Sequence, residues 1–136
     1  MKLLLDTSAY SALMRGHSDV AARVRSAEGV YLSSIVAGEL LYGFRHGTRY
    51  LQNRSQLESF IASPVVHFLP VSLTTADRFG IISANLRRQG TPLPSNDIWI
   101  AAHTLETGAD LLSFDHHFTK VAGLSFIFMG QHGVDP

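Results

Sequence analysis

Apolar positions along the chain follow two rhythms. Short continuous runs at residues 2–5, 30–32, 65–69, 110–114 and 125–128 read as buried strands. Between them, apolar positions recur at the spacing of amphipathic helices. Helices are predicted over about 7–15, 17–27, 35–46, 48–62, 74–89 and 96–107, with a short helical turn over 116–120. Val20, Ala21 and Val24 define the inner face of the second helix. Leu51, Leu57, Phe60 and Ile61 define that of the fourth, and Phe79, Ile82 and Leu86 that of the fifth. Thr7 or Ser8 can cap the first helix, and Ser33 and Ser34 precede the third. Pro64 ends the fourth, while Gly29, Gly90 and Gly108 fall just past helix ends.

Strands separated by helices imply right-handed crossovers, hence an α/β fold with a mostly parallel central sheet flanked by helices. A chain of 136 residues without repeat or linker is expected to form one domain over 1–136, with a flexible tail over about 130–136.

Composition narrows the chemistry. The chain has no cysteine, which excludes disulfides, thiolate nucleophiles, iron–sulfur clusters and cysteine-ligated zinc. Charged residues are 16%, too few for a disordered chain, and no apolar run approaches the ~20 residues of a membrane span. An acid ends the opening apolar run after three leucines, so residues 1–6 do not read as a secretory leader. A soluble, cytoplasmic protein with no membrane role is expected. The 11 basic and 11 acidic residues balance, and nine of the basic ones are arginine. If four acids converge on a cation, 11 basic face 7 acidic residues in the remainder, which leaves a nucleic-acid substrate open.

The acids stand in unusual places. Asp6 and Asp115 each follow an apolar strand, where parallel α/β sheets bind their ligands. Each alone reads as a helix cap; two at equivalent strand ends point to a site. Glu39 interrupts an apolar helix, where a carboxylate is costly to bury unless paired or bound to a cation. Gly38 and Gly43 flank it, and each glycine costs a helix about 1 kcal/mol relative to alanine. A close approach of another backbone or of a ligand is expected there. Asp97 opens its helix at the edge of the apolar stripe Ile98, Ala101, Ala102 and Leu105, from which it can reach into a cleft. Trp99, His103 and Glu106 are expected to point the other way. Acids without cysteine suit a hard, oxygen-liganded cation, Mg²⁺ or Mn²⁺ rather than zinc.

Four segments, LLLDTS, SSIVAGELLYG, PSNDIWIAAHTLETGADLL and SFDHHF, together resemble the signature blocks of PIN-domain ribonucleases. The resemblance runs from Leu3 to Phe118 and is strongest to the VapC-type toxins of toxin–antitoxin pairs. It implies a PIN-like fold and Mg²⁺-dependent cleavage of RNA, with Mn²⁺ as a substitute. Its acidic positions map onto Asp6, Glu39, Asp97 and Asp115. Ser113 stands where relatives usually have Thr, and Ser8 where many have Asn. Family toxins usually bind an antitoxin across the active-site groove and pair as homodimers. An excess of apolar residues on the early helices is a second reason to expect a dimer here.

On this reading Asp6, Asp97 and Glu39 hold the metal directly or through water, and Asp115 completes the site. Water attacks phosphorus in line and leaves a 5′-phosphate and a 3′-hydroxyl. Thr7, Ser8, Asn96 and Ser113 are supporting polar residues, each equally suited to an ordinary cap or turn. Arg15, Arg45, Arg49 and Arg54 are candidates to rim an RNA groove. His116 and His117 read as surface loop, and Trp99 as packing under a neighbouring helix. The alternatives are a non-catalytic PIN module that binds RNA or protein, or a PIN nuclease outside toxin–antitoxin systems. A receiver domain would not place acids on two separate helices, and a flap-type DNA nuclease needs basic arches that so short a chain lacks.

Overall fold

The computed structural model describes residues 1–130. The tail expectation for residues 131–136 lies outside the described residues. Five strands alternate with six helices: β1 Lys2–Leu5, α1 Thr7–Met14, α2 Ser18–Ser26, β2 Gly29–Ser33, α3 Ser34–Arg45, α4 Tyr50–Ile61, β3 Val66–Leu69, α5 Leu73–Gln89, α6 Ser95–Thr107, β4 Asp110–Ser113 and β5 Phe126–Phe128. A 3₁₀ turn, His116–Lys120, precedes the last strand. Every strand pair is parallel, in the order β3-β2-β1-β4-β5. The chain therefore builds outward from β1 to one edge, then returns to build the other side from β4. The crevice beyond the carboxyl ends of β1 and β4 is the topological switch point, where open α/β sheets take their ligands.

The central strands β1, β2 and β4 are buried because alternate residues serve opposite faces, each covered by helices. Leu4 joins Leu32, Val36, Leu40, Ile100 and Leu111 in one cluster. Its neighbours Leu3 and Leu5 join Ala9, Ala12, Val20, Val30 and Leu112 in another. A third cluster, Ile82, Leu86, Ile98, Ala101, Ala102 and Val121, packs α5 on α6. Within the core, Tyr10 packs edge-on against Phe60, at 5.2 Å between ring centroids. Among the described residues its buried hydroxyl has no hydrogen-bond partner, and burial pushes the phenol up to about 12.

Caps explain most boundaries. Gly90 and Gly108 end α5 and α6 in the left-handed conformation, at φ 71° and 72°. Other expectations need correction. Asp6, not Thr7 or Ser8, caps α1. Gly29 does not stop α2; it is buried at the start of β2, close under the His67 ring. Leu51 is 81% exposed, so it does not share the inner face of α4. The early helices carry no surplus of exposed large apolar residues: Ala9, Tyr10, Ala12 and Val20 are buried, and Leu13, Met14 and Val24 pack on the core. Among the described residues the exposed ones cluster later, at Tyr42, Leu51, Val65, Phe68, Val71, Leu73 and Ile81, besides Met1. Among the described residues no helix is long and apolar enough to cross a membrane.

Candidate active site

Asp6 is the centre of the switch-point crevice. It leaves β1 with extended backbone and caps α1 by accepting from the Ala9 amide at 2.9 Å. The same carboxylate accepts from Ser8 Oγ at 2.7 Å and, across the sheet, from Ser113 Oγ at 2.5 Å. The cap and the site are thus one structure. Both serines also tie down β4's exit: Ser8 Oγ accepts from the Phe114 amide at 3.0 Å, and Ser113 Oγ from the Asp115 amide at 2.9 Å. These bonds bring Asp115 over the crevice. Its carboxylate accepts from the His117 amide at 2.9 Å and lies 2.7 Å from His117 Nδ1.

Glu39 comes from α3. Thr7 donates to it at 2.5 Å and Asn96 at 3.1 Å, so three elements meet at one carboxylate. Asp97 enters in the first turn of α6, where the helix dipole favours an acid. Among the described residues it accepts no hydrogen bond. Burial, then the charges of Asp115, Glu39 and Asp6, push its carboxyl up to about 6, against a weaker pull from His117. Burial raises Asp6 too, opposed by its bonds from Ser113, Ser8 and the Ala9 amide, with Asp115 adding to the rise. Asp97 therefore lies in the combined negative field of Asp115, Glu39 and Asp6.

The donor set fits a hard divalent cation: it is all oxygen, partly desolvated, and without a cationic partner inside the cluster except His117. Among the described residues no three acidic or imidazole groups lie close enough to ligate one ion directly. An ion held there would need water for most of its coordination sphere, as Mg²⁺ commonly does.

Thr7, Ser8, Asn96 and Ser113 all join this network. The arginines do not. Arg15 ends α1, about 12 Å of helix away from the Asp6 cap. Arg45 and Arg54 both donate to the Tyr50 hydroxyl at 3.0 Å, and Arg45 also lies over the Tyr50 ring at 4.3 Å. Arg54 pairs with Glu58 at 3.2 Å, and Arg49 donates to Gln52 at 2.7 Å.

Of the expectations about helix faces, one needs refining and one fails. His103 points away from Asp97 but not into solvent: it is buried, with Nδ1 2.8 Å from Ser33 Oγ and Nε2 3.0 Å from the Pro70 carbonyl. α6 is enclosed on more than one side, so an apolar stripe does not mark its only buried face. Gly38 and Gly43 meet no close approach; a Cβ on either would find nothing within 4 Å. Trp99 packs as expected, stacked on Phe79 at 4.0 Å. Sequence reasoning passed over Tyr42, whose only signal was an aromatic one turn after Glu39.

The PIN domain family profile matches residues 3–124. The chain is 31% identical over 127 residues to ribonuclease VapC2 of Haemophilus influenzae, covering 91% of this chain and 95% of that one. It is 28% identical over 127 residues to the tRNA(fMet)-specific endonuclease VapC of Shigella flexneri, with the same coverage, 91% and 95%. Among solved structures, VapBC-1 from nontypeable Haemophilus influenzae superposes with a TM-score of 0.80 at 27% identity, covering 94% of this chain and 98% of that one. With its parallel order β3-β2-β1-β4-β5 and its acids gathered at the switch point, the chain belongs to the PIN-domain family, in the VapC branch.

Proposed function

We propose that this protein is a Mg²⁺-dependent endoribonuclease and the toxin of a toxin–antitoxin pair. The observation that carries the reading is Asp97: a carboxylate without a hydrogen bond, held among three other acids at the switch point. A protein does not gather charge there for stability, because like charges in a half-buried cleft repel. Asp6, Glu39, Asp97 and Asp115 would hold the cation, which Mn²⁺ can replace. When bound, the cation stabilises charge developing on phosphoryl oxygens and makes water a better nucleophile.

The chain's own groups set the geometry. Ser8 and Ser113 lock both Asp6 oxygens in place. Thr7 and Asn96 fix Glu39 from two sides, so neither acid has to reorganise when substrate arrives. His117, with its amide bonded to Asp115 and Nδ1 2.7 Å from the same carboxylate, fixes the Asp115 side chain. Hydrolysis by water leaves a 5′-phosphate and a 3′-hydroxyl. On this reading Arg15, Arg45, Arg49 and Arg54 are the arginines offered to the RNA backbone, Arg15 at the end of α1 and the others on and between α3 and α4.

The likeness to VapBC-1 supports a cognate antitoxin as partner, and a cytoplasmic location belongs to the same reading. A homodimer belongs to the same reading, with exposed Val65, Phe68, Val71 and Leu73 along edge strand β3 and its exit as the apolar surface available to it. The test is cleavage of RNA by purified protein with Mg²⁺ or Mn²⁺, starting with transfer RNA because of the Shigella relative. Cleavage that stops in EDTA and leaves 5′-phosphates is expected. Undiminished cleavage in EDTA would overturn the metal-dependent reading.

A further inference from the structure

The face of α3 that leads away from Glu39 carries an exposed aromatic ring that the core does not use. Tyr42 follows Glu39 by about one helical turn and is 69% exposed. With Ser34, Ile35, Gly38, Glu39 and Asn96 it lines a groove of about 330 Å³ that opens beside the acids. The ring is held from one side: His46 meets it edge-on at 4.5 Å, and His46 Nδ1 donates to the Tyr42 carbonyl at 3.0 Å.

Among the described residues His46 is the ring that packs on Tyr42, and a Cβ at Gly38, which lines the same groove, would meet nothing within 4 Å. No packing among the described residues therefore requires glycine at 38, and its effect is to keep that wall of the groove low. An exposed aromatic ring fixed at one edge, in a groove shared with Glu39 and next to acids suited to phosphate chemistry, offers a stacking surface for a planar base. Farther along the chain, Arg45 and Arg54 converge on Tyr50 and supply positive charge to a strand leaving the groove. A duplex would keep its bases stacked on one another and out of reach.

We propose that Tyr42 is a stacking platform for one unpaired nucleobase of single-stranded RNA beside the scissile phosphate, and that Gly38 keeps the groove open. The proposal rests on the nuclease reading and adds to it a residue that selects for an unpaired base.

Short single-stranded RNAs carrying 2-aminopurine at successive positions test it, titrated in EDTA against the full chain. Wild type and Tyr42→Phe quench the fluorescence at one position. Tyr42→Leu loses the quench and binds about ten-fold more weakly, the scale of one lost base–aromatic stack. With Mg²⁺, Tyr42→Leu and Gly38→Leu lower kcat/KM on an unpaired target by about the same factor, while Tyr42→Phe matches wild type. Equal quenching and equal kcat/KM in Tyr42→Leu overturn the platform and leave the nuclease reading standing. An RNA quenched by wild type but never cleaved supports the platform and overturns the nuclease reading. A Tyr42→Leu protein that handles RNA normally yet loses its cognate antitoxin assigns this face to a protein partner and overturns the platform.

Discussion

The two ends of α6 hold polar side chains on opposite terms. Toward its far end every polar group is matched. His103 must donate from Nε2 to the Pro70 carbonyl, so Nδ1 accepts from Ser33 Oγ, which in turn accepts from the Ile35 amide at 3.0 Å. Glu106 accepts from Thr75 at 2.6 Å and from Ser72 at 3.4 Å, which ties the start of α5 to α6. At the first turn, Asp97 faces three other acids, against a weaker pull from His117. One helix thus shows both uses of buried polarity. Matched groups specify the packing of α6 on its neighbours, whereas unmatched carboxylate charge is a standing cost that a cation would offset.

The contrast breaks most visibly at Asp97. Asp97→Asn is expected to lower RNA cleavage by about 10²–10³-fold, the scale of an electrostatic group lost at a reacting centre. Its melting temperature in EDTA should match or exceed wild type, because it removes repulsion. A melt well below wild type would move Asp97 to the structural side.

His103→Ala should do the reverse. It leaves Ser33 Oγ and the Pro70 carbonyl without their partner and opens a cavity, so unfolding in urea should show a loss of about 2–4 kcal/mol. Cleavage measured well below the melting temperature should survive. A stable His103→Ala protein that fails to cleave would place the imidazole in the chemistry instead.

The acids should also leave a mark on the pH dependence of stability. The folded Asp97 carboxyl titrates near about 6, above its ordinary value of 3.8. The folded state therefore takes up the proton first as pH falls. Metal-free protein gains stability on going down from neutral pH through that window, and the penalty is fully present above it. Asp97 is only half-buried, so solvent screening reduces the gain to about 1 kcal/mol. Denaturant unfolding across this range should slope in wild type and flatten in Asp97→Asn. A flat wild-type profile would mean that the acids are not coupled.

The smallest effect is expected at Tyr10, a buried polar atom that belongs to neither end of α6. Its hydroxyl lacks a partner, so Tyr10→Phe should stabilise the protein by up to about 1 kcal/mol. A loss of stability would reveal a bond to that hydroxyl in solution.

The order and type of every element were legible in the sequence because their signals are local. Apolar runs, helical spacing and the glycines at 90 and 108 act within a few residues of where they stand. The acids were legible because Asp6 and Asp115 sit at strand ends, and a carboxylate inside an apolar helix, Glu39, is out of place. Which groups answer one another was not. Ser113 reaches Asp6 across 107 positions of chain, and His103 reaches Ser33 across 70. A helical wheel places His103 opposite the apolar stripe but cannot count how many neighbours enclose the helix. The same blindness applies to Gly38, whose open surface exists only because nothing else in the fold comes near it. The sequence by itself determined the alternation of strand and helix and the stock of acids. Tertiary structure alone decided which of them are paired and which are left exposed to one another, because pairing depends on distances that close only when β1, β4, α3 and α6 meet.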